Sequence, residues 1–222
     1  MGYVLRDGVS MCVAGERIFL LDILQDRYFC LGREADRVLR MLLKGTASTP
    51  SDHVALEPHI ISGLLRLDQT RGSLAVCDAP IATEDCGHAV PSRLSLGRLP
   101  AMMFAIFLAE RRLKRLGLSA TLAIIAKRAD LRASLKPAVE ADPAALISAM
   151  FNRANYLVGG HDKCLPRSIA LATYLNARQI DASIVFGIMG RPFSAHCWVQ
   201  VGNCVMNDSL DTVRNYTPIK IV

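Results

Sequence analysis

The sequence predicts an α+β protein in two parts, and three features of the 222-residue chain support this prediction. In residues 1–80, short runs with the two-residue alternation of β-strands come before runs with helical spacing. In residues 100–222 the order is reversed, with helices first and strands last. Residues 81–99 have no sustained period and contain proline and glycine, as linkers do. We therefore predict domains at 1–80 and 100–222, joined by a linker at 81–99.

The first part has the element order of a small winged-helix-like module. Gly15 can form a tight turn between the first two strands, and the apolar spacing becomes helical from Arg33, with Gly45 in the position of a C-cap. The predicted elements are strands 9–15, 16–23 and 26–32, helices 33–44 and 53–67, and a closing strand 72–79. The second part contains predicted helices 101–117, 120–135 and 143–158, a helix that opens near residue 164, and strands 181–189 and 194–209.

Charge and hydropathy narrow the class of protein. The formal net charge is +6, of which residues 1–80 contribute −1 and residues 81–222 contribute +7. No Lys/Arg run is interleaved with aromatic residues, so the sequence does not favour nucleic-acid binding. The most apolar run, residues 99–109, is shorter than the roughly 20 residues of a membrane span. We expect it to form a buried helix in a protein that does not enter a membrane.

The seven cysteines are odd in number and form no CxxC pair. This spacing argues against a disulfide framework and against a zinc ribbon, so we expect reduced thiols, a cytoplasmic protein, and neither a metal nor a cofactor. The N-terminus lacks the basic-then-apolar pattern of a signal peptide. All but Cys164 are predicted to be structural or incidental: Cys12, Cys30, Cys77, Cys86, Cys197 and Cys204.

Cys164 is the candidate nucleophile. Pro166 lies in what would be the first turn of a helix, where its missing N–H is tolerated, and helical apolar spacing follows. At a helix N-terminus, the peptide dipoles and unpaired N–H groups favour a thiolate over a thiol. A free cysteine is also among the most commonly buried residues, so its position alone leaves a buried structural cysteine as an alternative.

His196 and Asp208 are the candidate partners of Cys164. A thiolate nucleophile needs a proton acceptor and a group that holds this acceptor in one tautomer, and His196 is the one histidine after Cys164 in the sequence. His196 lies in a strand-like run, and Asp208 follows on the predicted return strand. A two-residue turn at 202–203 would place Asp208 on the wrong face, whereas a three-residue loop at 201–203 pairs it with His196. The sequence permits both registers, and the pairing requires the second.

Residues 100–222 resemble the transglutaminase-like peptidase of lasso-peptide biosynthesis, the B protein. The matching features are a Cys-Leu-x-Arg-Ser run from Cys164 that opens a helix, an Ala-His-x-Trp-Val run from Ala195, and the later Asp208. Cys197 departs from the family, which commonly has alanine there, and we expect its side chain to point away from the site. The first part resembles, less specifically, the winged-helix precursor-recognition element of such pathways. Some of these systems encode it separately and others fuse it to the peptidase.

The resemblance implies a cofactor-free cysteine peptidase that removes the leader of a ribosomally made precursor. Cys164 would attack the scissile carbonyl, His196 would take and return a proton, and Asp208 would orient the imidazole. The leader would add as a strand to the edge of the first part, beside the helical pattern at 53–67. The residues implied for this contact are Arg27, Tyr28, Phe29, Cys30 and Leu31. The freed core peptide would pass to an ATP-dependent lasso cyclase.

Three other functions stay open at the level of the sequence. The chain is a non-catalytic precursor-binding scaffold if Cys164 is only structural. It is an acyl transferase if the same three residues pass the acyl group to an amine. A nucleic-acid role for residues 1–80 is disfavoured because their net charge has the wrong sign for gripping phosphates. Hydrolysis is the preferred reaction because a leader-binding module suits a cleavage step.

Overall fold

A computed structural model describes residues 2–47, 49–68, 74–86, 99–133, 141–158 and 163–222 of the chain. The mixed helix-and-sheet class predicted from the sequence is confirmed. The strands are β1 (Gly2–Leu5), β2 (Val9–Ala14), β3 (Arg17–Asp22), β4 (Arg27–Cys30), β5 (Leu65–Asp68), β6 (Glu84–Asp85), β7 (Ser183–Gly190), β8 (Phe193–Val201), β9 (Cys204–Val205) and β10 (Thr217–Ile221). The helices are α1 (Arg33–Leu43), α2 (Pro50–Ile61), α3 (Leu99–Ala133), α4 (Ala141–Val158), α5 (Cys164–Asn176) and α6 (Leu210–Val213).

The N-terminal sheet has the order β2-β3-β4, so the three strands predicted there are confirmed. β4 pairs only with β3 among the described residues, which makes it an edge strand. β3 is buried on both faces, from Ile18 to Asp22. A strand with apolar residues on both faces belongs in a sheet that is covered on both sides.

The N-terminal helices cover one face of this sheet. The structure corrects two of the predicted elements, the second helix and the strand after it. The helix expected at 53–67 ends at Ile61, because Gly63 takes a left-handed conformation with φ of 73° and turns the chain. Residues 65–68 then form β5, which pairs antiparallel with β1. The strand predicted at 72–79 is also wrong in its described part, since 74–79 form no strand. Residues 72 and 73 lie outside the described residues.

The C-terminal sheet has the order β10-β7-β8-β9-β6, with α3, α4 and α5 supplying the helices of its core. Over their described length, the predicted helices 101–117 and 120–135 correspond to the two halves of α3. The two halves meet at Gly117, which has a φ of 76°. No helix in the described part of the chain has the combined length and apolarity to cross a membrane.

β6 comes from the segment predicted to be a linker. It pairs in parallel with β9, and next to it Cys86 forms a disulfide with Cys204. The expectation of only reduced thiols is therefore wrong for this pair. Its 118-residue separation gives no sequence signal, because the pairing of the two strands brings the sulfurs together. The rest of the predicted linker, residues 87–98, lies outside the described residues.

The two parts of the chain share a hydrophobic core. The second face of the N-terminal sheet contributes Cys12, Ala14, Phe19 and Leu21 to the cluster formed by α3, α4, α5, β7 and β8. The contact is close at the tip of the β7–β8 hairpin, where a Cβ added to Gly190 would lie 3.4 Å from the Phe19 ring. The N-terminal sheet therefore lies between its own helices and the C-terminal part.

Candidate active site

Cys164 is the first residue of α5, as the sequence predicts. The helix begins here because its preceding residue, Lys163, has non-helical dihedral angles, while buried side chains such as Ile169 and Leu175 anchor it against the core. Lys163 Nζ also forms an ion pair with Glu110 Oε1 of α3, at 2.8 Å. The nucleophile candidate is therefore placed at a helix N-terminus that is tied to a neighbouring helix.

His196 of β8 and Asp208 lie in contact, with 2.5 Å between Nε2 and Oδ2. The predicted three-residue loop is nevertheless wrong, because Val201 pairs with Cys204 across the two-residue turn at 202–203. The pair forms in this register because β9 ends at Val205, so Asp208 lies in a bend where strand alternation no longer sets the direction of its side chain.

A network of buried and partly buried hydrogen bonds holds this bend against α5. Asn207 accepts from the Val199 N–H through Oδ1 at 2.7 Å and donates from Nδ2 to Ser168 Oγ at 2.9 Å. Ser168 is fully buried and donates in turn to the Cys197 carbonyl at 3.2 Å. Ser168 lies one helical turn after Cys164, and Asn207 precedes Asp208. The network therefore fixes the start of α5, with Cys164, relative to the bend that holds Asp208. Asn207 was not predicted from the sequence.

Aromatic side chains flank the imidazole of His196. The ring centroids of Trp198 and Tyr216 lie 6.3 Å and 5.2 Å from that of His196. Gly187, the cross-strand partner of His196, makes this packing possible, since a Cβ there would lie 2.7 Å from the Trp198 ring. The imidazole is thus confined between its carboxylate partner and two rings.

Cys197 lies in the site, which corrects the expectation that its side chain points away. β8 packs its Cys197 face against α5, where Cys197 Sγ lies 3.8 Å from Ser168 Oγ and next to Cys164. Hydrogen bonding with Cys197 is the main cause that lowers the pKa of Cys164 to about 4, and the hydrogen bond and charge of His196 add to it against the opposing effect of burial. The same contact, together with burial, raises the pKa of Cys197. Cys197 therefore stays a neutral thiol, and its contact favours the thiolate form of Cys164.

His196 is held in its protonated form. Burial alone would lower its pKa, but hydrogen bonds with Asp208 and Cys164 and their negative charges raise it to about 10. Burial also opposes ionisation of Asp208, and the bonds from His196 and from the Ser209 N–H outweigh it, so the pKa of Asp208 is lowered. Because Asp208 occupies Nε2, the ring nitrogen that faces Cys164 is Nδ1. The resting site is a thiolate–imidazolium pair.

The predicted leader-binding residues fall on or next to the edge strand β4. Leu31 donates its N–H to the Ile18 carbonyl, and the antiparallel ladder alternates, so the backbone groups of Tyr28 and Cys30 point to the open edge. Arg27 and Phe29 point their backbone groups toward β3. The side chain of Leu31 is 1% exposed in the N-terminal core, which removes it from the surface that a peptide could contact.

Among the described residues, one group has the arrangement of metal ligands: Glu84, Cys86 and Cys204, whose ligand atoms lie within 4.8 Å of one another. The two sulfurs of this group form the disulfide, so they offer no thiolate to a metal. The group includes none of the candidate catalytic residues, Cys164, His196 and Asp208.

Comparisons with known proteins identify the family of the C-terminal part. Residues 105–220, more than half of the chain and the part that contains Cys164, His196 and Asp208, match the family described as the transglutaminase-like superfamily. A stretch of 46 residues is 50% identical to the microcin J25-processing protein McjB of Escherichia coli. This stretch covers 21% of the chain and 22% of that protein. No solved structure matches the chain. The two matches confirm the resemblance predicted from the sequence.

Proposed function

The chain belongs to the transglutaminase-like superfamily, and on that premise we propose that it is a cysteine peptidase that cleaves the leader from a lasso-peptide precursor. The observation that carries the proposal is the geometry of the site, in which Cys164 opens α5 and Asp208 Oδ2 lies 2.5 Å from Nε2 of His196. The charge and hydrogen bond of His196 favour the thiolate form of Cys164. The similar Escherichia coli protein is named for its processing of microcin J25, and the short matching stretch supports a processing reaction here.

The proposed reaction runs through a thioester. The Cys164 thiolate attacks the scissile carbonyl, and His196 gives its proton to the leaving amine, which becomes the N-terminus of the core peptide. Water then attacks the thioester while His196 accepts its proton, and the leader leaves with a free carboxylate. The backbone N–H of Cys164, at the start of α5, can stabilise the oxyanion of each tetrahedral intermediate. Asp208 keeps the imidazole in the required tautomer throughout.

The winged-helix-like N-terminal part is proposed to bind the leader. β4 is an edge strand whose outer backbone groups belong to Tyr28 and Cys30, so an extended peptide can add to it by main-chain hydrogen bonds. Holding the leader next to the site raises the effective concentration of the scissile bond. Cleavage is proposed to take place in the cytoplasm, where the core peptide passes to an ATP-dependent cyclase.

Cleavage of the precursor peptide encoded beside the gene tests the proposal. We expect the purified protein to cut it at one bond, seen by mass spectrometry as a leader with a free carboxylate and a core with a free amine. A new amide in place of the carboxylate would instead identify an acyl transferase. Binding without any cut, both alone and with the cyclase and ATP added, would identify a scaffold protein.

Cys30→Pro tests strand addition at β4. This change removes an N–H that points to the open edge, and it leaves the bonds between β3 and β4 intact. We expect the affinity for the leader to fall roughly tenfold, since a lost hydrogen bond with an unsatisfied partner is worth about 1–3 kcal/mol. Cys30→Ala keeps the N–H and serves as the matched control in fluorescence anisotropy. Equal binding by the two variants would place the leader elsewhere.

The pH dependence of kcat/KM is expected to be a broad bell. Activity should rise with pH as Cys164 ionises, with a pKa of about 4, and fall as His196 loses its proton, with a pKa of about 10. In Cys197→Ala the thiolate loses a donor, so the acid limb should move to higher pH while the alkaline limb stays in place. Cys12→Ala, another buried cysteine, is the control and should leave both limbs unchanged. An unmoved acid limb in Cys197→Ala would refute this role of Cys197.

A further inference from the structure

Three aromatic rings meet where the N-terminal sheet touches the β7–β8 hairpin. The Phe193 ring stacks on that of Phe19, with 6.1 Å between centroids, and meets the Tyr28 ring edge-on at 5.8 Å. Phe19 is buried and Tyr28 is partly buried, but Phe193 is 54% exposed. We call these three residues the aromatic shelf. Phe193 is thus a large apolar ring that packs on two other rings on one side and is exposed to solvent on the other, which is typical of a contact surface.

The aromatic shelf lies between the predicted leader-binding strand and the nucleophile. Tyr28 belongs to β4 and has its backbone groups on the open edge. Phe193 begins β8 and shares a strand face with Cys197, whose carbonyl accepts a hydrogen bond from Ser168, one turn after Cys164 in α5. An extended peptide that pairs with β4 and reaches Cys164 therefore passes over Phe193.

The surroundings of the shelf select for apolar contact. Burial is the main reason that the pKa of Tyr28 is raised, so its phenol stays neutral and carries no charge toward a ligand. Phe19 and Phe193 offer only ring carbons. The shelf therefore suits a bulky apolar or aromatic side chain rather than a charged one.

We propose that the aromatic shelf is a specificity subsite that takes an apolar side chain of the leader, between the segment paired with β4 and the scissile bond. This inference rests on the proposed function. Cys197 follows Phe193 by four positions in β8, or about 13 Å at strand spacing. An extended substrate covers that distance in about four residues, so the side chain in question lies about four residues before the cut.

Phe193→Ser tests the subsite, and Phe104→Ser is its matched control because Phe104 is an equally large ring, 63% exposed, on α3. Fluorescence anisotropy with two synthetic peptides, the full leader and a leader lacking its last six residues, gives the readout. We expect Phe193→Ser to bind the full leader about tenfold more weakly than the wild type, as for loss of one buried aromatic contact. It should bind the shortened leader as the wild type does. Phe104→Ser should match the wild type with both peptides.

Alanine scanning of the last six leader residues then locates the side chain. One substitution should weaken binding to the wild type and have no further effect on Phe193→Ser, because the two changes remove the same contact. Unchanged affinity of Phe193→Ser for the full leader, or strictly additive losses at every position, would overturn the subsite. These binding results do not depend on cleavage, so failure of the wild type to cut the precursor would count against the proposed peptidase alone.

Discussion

Cys164→Ala is expected to abolish cleavage of the precursor, with a loss in kcat of about 10⁴-fold or more, while leader binding stays within twofold of the wild type. The size of the loss follows from the mechanism, since removing a nucleophile from a catalytic triad leaves only the stabilisation that binding and oxyanion donors provide. Binding should persist because the outer edge of β4 belongs to other residues. Mass spectrometry measures cleavage, and anisotropy with the leader peptide measures binding.

Two further variants separate the nucleophile from its neighbours. His196→Ala should lose about as much activity as Cys164→Ala, and the double variant should lose little more, because residues that act as a unit are not additive. Cys197→Ala should retain cleavage near neutral pH, since its thiol donates a hydrogen bond and does not attack the substrate. Cleavage that survives Cys164→Ala would show that the nucleophile is a different residue or that Cys164 is structural.

Local signals in the sequence were enough to place the nucleophile candidate and the strands β2, β3 and β4, but not β1 or β5. Pro166 and the apolar spacing after it define the start of α5, and both depend only on neighbours along the chain. The alternation in residues 9–32 likewise predicts β2, β3 and β4 with their hairpin turns. The role of Gly63 in ending α2 is also local, but the leucines after it extend the helical pattern and mask the stop.

The parts that sequence reasoning missed depend on contacts between distant residues. The register of the β8–β9 turn does not decide where Asp208 lies, because the bend after β9 and the bonds of Asn207 set its position. Strand alternation places the side chains of Cys197 and His196 on opposite faces of β8. It does not reveal that the Cys197 face packs on α5, which brings Cys197 next to Cys164. The disulfide between Cys86 and Cys204 depends on the pairing of β6 with β9 in the same way.

Deleting residues 1–68 is expected to unfold the remaining chain rather than to release an active peptidase. The deletion removes Cys12, Ala14, Phe19 and Leu21 from the shared core and exposes the apolar surface of β10 and β7 that they cover. Full burial of a Phe or Leu side chain is worth about 1.5–3 kcal/mol, so the loss from the four residues is roughly 5 kcal/mol or more. A domain of this size has a free energy of unfolding of about 5–15 kcal/mol, which leaves little reserve.

Urea denaturation and far-UV circular dichroism of residues 69–222 would measure this effect, with Phe19→Ala in the full chain as a milder test of the same core. Phe19→Ala should lower the free energy of unfolding by about 3–5 kcal/mol.

Expressing residues 1–68 together with 69–222 should restore a folded complex, because the shared core can reform between two chains. A fragment 69–222 that folds and cuts peptides alone would show instead that it is a domain independent of residues 1–68. If the fragment unfolds, strand β4 and Cys164 belong to one rigid body, and the position of the cut is set by the length of leader between them.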